Sequence, residues 1–152
     1  MMSSLSLIET INEDIKSAMR SKDSERLTTL RMLKAAIKQR DIDTQSTATD
    51  QDALAIINKM VKQRKESTEQ YLAAQRPELA EKEQLEINIL TTYLPEQLDE
   101  AAILIAIDQA ITQSGAESIK DMGSVMGLLK SQLQGQADMS VVSKHVRTRL
   151  ST

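Results

Sequence analysis

Apolar residues recur at steps of three and four along almost the whole chain. Ile8, Ile11, Ile15 and Ala18 follow this rule, as do Leu27, Leu30, Leu33 and Ile37, and again Val142, Val146 and Leu150. Such spacing puts side chains on one side of an α-helix. Runs of β-branched residues are short and do not alternate, so no strand reading competes. The core must also be built without Phe, Trp or Cys and with only two Tyr, leaving Leu, Ile, Val, Ala and eight Met. Two Pro and four Gly in 152 residues signal few turns, which again favours long helices.

Punctuation residues divide this pattern. A first helix is expected from about Leu5 to Ser21, and Asp23 or Ser24 is placed to cap a second. Thr44 to Asp50 is a loop rich in Ser and Thr that ends in a cap, before a third helix running toward Tyr71 and Leu72. Pro77 fits the first position of a fourth helix. Pro95 has no N–H to donate and restricts Leu94 before it, so "YLPEQLDE" marks the domain boundary. Beyond it, Asp99 is available as a cap and Gly115 as a left-handed helix end. Ser118 and Asp121 have capping-box spacing, and Asp138 caps a last helix. The expectation is an all-α chain with two small helical domains, 1–95 with about four helices and 96–152 with about three.

The net charge of −3 conceals segregation. Lys16 to Arg40 holds eight basic residues against two acidic, Glu78 to Glu100 holds seven acidic against one basic, and Ser118 onward holds five basic against two acidic. A weakly acidic chain of this kind can still offer cationic faces to an anionic partner. The lack of Cys excludes disulfides and thiol catalysis. No window approaches the roughly 20 apolar residues of a membrane span, and the first residues lack an export pattern. A cytoplasmic protein is expected.

Three of the four glycines lie in "DMGSVMGLLKSQLQGQAD", Asp121 to Asp138. Gly123 and Gly127 stand four residues apart within a helical pattern, where a glycine costs roughly 1 kcal/mol against alanine. Met122, Val125, Met126, Leu129 and Leu133 share the core side, while Gly123, Gly127 and Lys130 line up beside it, followed by Gln134. Two readings fit: a neighbouring helix packs against the glycines, or an extended ligand lies along them with Lys130 meeting its charge.

The block "DMGSVMGLLKSQLQGQADMSVVSKHVRTRL" resembles the C-terminal region of the YqeY-like proteins. That region is similar in turn to the tail domain of the B subunit of the tRNA-dependent amidotransferase (the GatB/YqeY domain). "RLTTLRMLKAAIKQRDID", "VKQRKEST" and "LTTYLPEQL" extend the resemblance through the amino-terminal half. The resemblance implies an all-helical protein whose carboxy-terminal domain meets tRNA or a tRNA-handling complex. The contacts would come from Met122, Gly123, Met126, Gly127, Lys130 and the turn Gly135, Gln136 and Asp138. It also implies an association with carbon–nitrogen ligase chemistry using glutamine as amide donor. The family turn usually carries Arg or Lys after its glycine, where this chain has Gln136.

The residues themselves offer no catalytic constellation. His145 is a lone imidazole on the last helix, and no phosphate loop, nucleophile elbow or metal-ligand spacing occurs. No cofactor and no metal are expected, and the chain reads as non-catalytic. Arg31, Lys34 and Lys38, with Lys62, Arg64 and Lys65, form a candidate secondary basic patch. With so few aromatics, a base-stacking groove is excluded, and RNA would be met by backbone and shape. The alternative is a protein–protein adaptor whose Met-rich helical faces recognise other proteins.

Overall fold

The computed structural model describes residues 6–133 and 135–151. The chain divides into two compact units, Met1–Leu94 and Pro95–Thr152. All regular structure among the described residues is helical.

The first unit contains α1 (Leu7–Ser21), α2 (Ser24–Thr44), α3 (Asp50–Ala73) and α4 (Pro77–Thr91). Leu5, the expected start of α1, lies outside the described residues. Ser6 begins that helix by accepting from the Glu9 amide at 3.1 Å. Asp23 caps α2 through the Arg26 amide at 3.2 Å. Thr49 and Asp52 form a reciprocal capping box at α3, satisfying donors that a helix start otherwise leaves open.

Helix α4 ends earlier than the proline at 95 suggests. Tyr93 and Leu94 donate to Leu90 and Thr91, three residues back, so the chain tightens before Pro95. The Thr91 and Thr92 hydroxyls also bond to the carbonyls of Asn88 and Ile89, closing the final turn. In this unit α3 packs chiefly on α4 and α1 chiefly on α2. Their shared core centres on Ile11, Leu30, Leu33, Ile57 and Leu90, each at most 1% exposed. Truncating such a residue to alanine costs about 2–5 kcal/mol.

The second unit contains α5 (Glu100–Ser114), a 3₁₀ turn (Ile119–Asp121), α6 (Met122–Gln132) and α7 (Met139–Leu150). Asp99 caps α5 through the Ala102 amide at 2.8 Å. Gly115 closes that helix at φ 72°, a left-handed conformation that costs glycine little. Each of the three helices touches the other two. Ile107, Val125, Leu129, Val142 and Val146 form their sealed centre.

Candidate nucleic-acid interface

Helix α6 is oriented by its apolar side. Val125, Leu129 and Leu133 are buried, and the half-buried Met122 and Met126 pack on the same core. At 100° per residue, this anchoring turns Gly123, Gly127 and Lys130 away from the core. All three are exposed. A Cβ built on either glycine meets no neighbouring atom within 4 Å. The close-packing reading of the glycines therefore fails, because no described helix lies against them. What remains is a smooth, open strip with an ammonium group beside it. Gln134, the next residue of the expected strip, lies outside the described residues.

The turn after α6 is tied down from the segment preceding α5. The Gln97 side-chain amide donates to the Gly135 carbonyl at 2.6 Å, and the Leu98 amide donates to the Gln136 carbonyl at 2.9 Å. Gly135 has φ 70°. The Gln136 side chain folds back toward the Glu96 carbonyl at 3.4 Å. Asp138 is the cap of α7, accepting from the Ser140 amide at 2.9 Å and hydroxyl at 2.8 Å. Sequence reasoning missed the Glu96–Leu98 anchor, since a connection across about forty positions leaves no local signal.

Cationic side chains differ in how far they are committed. Arg149 pairs with Asp108 at 3.1 Å, and His145 lies 3.9 Å from Glu100. Among the described residues, Lys120, Lys130, Lys144 and Arg147 have no carboxylate partner, and all four are exposed. In the first unit, Arg31, Lys34 and Lys38 are exposed on α2, and Lys62 and Lys65 are exposed on α3. Arg64 is placed differently from the rest of that candidate patch. Its guanidinium reaches Glu86 at 2.9 Å and the Met60 carbonyl at 3.2 Å, with both charged side chains only 14% exposed. It braces α3 against α4.

A second polar network also escaped the sequence. The Tyr93 hydroxyl donates to Asp14 at 2.6 Å, and Arg26 stands 3.7 Å from the same carboxylate. Burial, then the bond to Asp14, pushes the phenol well above its ordinary titration range. These groups line an open cavity of about 630 Å³ with Leu85 and Ile89 between α1, α2 and α4. Among the described residues, no helix is long and apolar enough to cross a membrane.

Comparison with known proteins places the chain in a family. The family model described as Yqey-like protein matches residues 8–150. Several relatives carry the name "Altered inheritance of mitochondria protein 41, mitochondrial". The one from Lachancea thermotolerans is 40% identical over 91 residues, covering 59% of this chain and 49% of the relative. That from Pyrenophora tritici-repentis is 31% identical over 144 residues, covering 93% and 79%. That from Eremothecium gossypii is 33% identical over 120 residues, covering 78% and 62%. The chain thus spans about half the length of the Lachancea relative and most of the Pyrenophora one. With an all-helical structure and a family match over nearly its full length, the chain belongs to the YqeY-like family.

Proposed function

We propose that this chain is a non-catalytic helical module that engages tRNA, or a complex handling tRNA, through the open side of α6. The supporting observation is the bare strip at Gly123 and Gly127, with Lys130 beside it and no carboxylate paired with that ammonium among the described residues. A glycine in the middle of a helix, as Gly127 is, costs roughly 1 kcal/mol against alanine, and Gly123 in the first turn of α6 adds to that cost. No internal neighbour accounts for that cost, whereas close approach of an external backbone does. The exposed cations Lys120, Lys144 and Arg147 add positive charge to the same unit. RNA would be held by phosphate and shape, since the chain has no Phe or Trp and only two Tyr, both in the first unit, and Tyr93 is engaged with Asp14.

In this reading any link to glutamine-dependent carbon–nitrogen ligation is that of an accessory. The proposed compartment for this chain is the cytoplasm, while the relatives' printed names put them in mitochondria.

The test combines Lys130→Glu with Gly127→Leu. Retention of tRNA on a filter at low salt is expected to vanish while circular dichroism stays helical. Undiminished retention by the doubly substituted chain would remove the α6 strip from consideration. A second reading, a protein adaptor, is favoured by Ile105 and Ile119, which are 59% and 49% exposed in this unit. A partner captured from nuclease-treated lysate and held at high salt would select that reading.

A further inference from the structure

We infer that the outward face of α2 in the first unit is a second phosphate-binding surface, formed by Arg31, Lys34 and Lys38. This rests on the reading of the chain as an RNA-binding module and extends it to the unit that lacks the glycine strip.

The placement follows from the helix. At 100° per residue the three cations fall within a sector of about 60°. Leu30, Leu33 and Ile37 are buried on another side of the same helix. No acidic residue occurs between Glu25 and Asp41, so the face is uninterrupted by negative charge along its own helix.

The use made of neighbouring arginines sets these three apart. Arg26 pairs with Asp14 at 3.7 Å, Arg40 with Asp52 at 3.0 Å, and Arg64 with Glu86 at 2.9 Å. Each of those ion pairs joins two helices and serves the fold. Arg31, Lys34 and Lys38 have no carboxylate partner among the described residues and join nothing. Within the unit α2 is net positive, with five basic residues against three acidic, whereas α4 is net negative, with Glu78, Glu81, Glu83 and Glu86 against Lys82. A unit with its charge divided in this way orients an approaching polyanion toward α2.

The chemistry favours RNA over an acidic protein as the occupant. Protein interfaces concentrate aromatic anchors and are depleted in lysine. This face has no aromatic residue, and its large apolar neighbour is a single exposed side chain, Ile42. Flexible cations without an apolar anchor are the usual equipment for phosphate contacts, which position a nucleic acid without reading its sequence.

The experiment measures tRNA affinity of the full chain across a range of salt concentrations. Arg31→Gln, Lys34→Gln and Lys38→Gln are combined, because Gln is a good helix former and the sites are exposed. Ala35→Glu is the second variant: it removes no cation, and sets a carboxylate four residues from Arg31 and three from Lys38. The triple variant is expected to flatten the plot of log affinity against log salt by about three, one for each phosphate that is no longer neutralised. Ala35→Glu should flatten it in the same direction by less.

An unchanged slope in both variants, with the unaltered chain still binding tRNA, overturns the α2 surface and leaves the α6 reading standing. No tRNA binding by the unaltered chain overturns the functional reading itself. Loss of binding to polyglutamate, with the tRNA slope kept, would assign the face to an acidic protein and overturn the inference.

Discussion

The side-chain amide of Gln97 donates to the carbonyl of Gly135 across 2.6 Å, fastening the turn between α6 and α7 to the segment that enters α5. Gly135 holds φ 70°, where a side chain costs about 1–2 kcal/mol. Gly135→Ala should therefore lower stability by about that amount in urea unfolding. Gln97→Ala removes the side-chain amide that donates to both the Pro95 and Gly135 carbonyls; both bonds are exposed to water, so it should cost less, about 0.5 kcal/mol. If Gly135→Ala leaves the urea midpoint unmoved, this turn is not held as described.

Ion pairs in the first unit should differ in value despite similar geometry. Arg64 and Glu86 are both 14% exposed, and removing the carboxylate leaves a largely desolvated guanidinium. Glu86→Leu is expected to cost about 1.5–3 kcal/mol. The Arg76–Glu78 bond is shorter, at 2.6 Å, yet its side chains are 58% and 59% exposed. Water screens that pair, so Glu78→Ala should leave the unfolding midpoint where it is. Equal effects of the two substitutions would contradict this account of Arg64 as a brace.

The capping box at α3 carries a pH dependence. Asp52 accepts from the Thr49 amide and hydroxyl, and these bonds, with the nearby Arg40 charge, hold its carboxyl below the ordinary value. A carboxylate depressed in the folded state contributes stability above its unfolded pKa, about 3.9 for aspartate. That contribution is lost as pH falls through the lower, folded value. Asp52→Asn should remove it, so the variant and the parent should converge in stability as the solution is acidified. Parallel curves down to the acid limit would show that the capping carboxylate contributes no linkage.

Much of this fold was legible because its signals are local. Asp23, Asp99 and Asp138 cap helices where their position before an apolar repeat suggested, and Gly115 takes the left-handed end of α5. Other helix ends were hidden, since Lys22, Gln45 and Gln75 adopt positive φ without being glycine. Periodicity placed Gly123, Gly127 and Lys130 on one side of α6 but said nothing of what stands opposite them. Only coordinates reveal the open space beside both glycines. Arg64 was legible as a cation but not as a brace, because Glu86 meets it only through the packing of α3 on α4. The bond between Tyr93 and Asp14, 79 residues apart, was invisible for the same reason.

Replacing Gly123 and Gly127 together by alanine tests the central claim most directly, with thermal stability and tRNA retention measured on the same protein. Each site lies in a helix with open space where the methyl group would go, so each substitution should stabilise by about 0.5–1 kcal/mol. A strip kept bare for a ligand should at the same time bind tRNA more weakly. The expected result is a chain harder to unfold that holds less RNA; a stabilised chain with undiminished retention would contradict it.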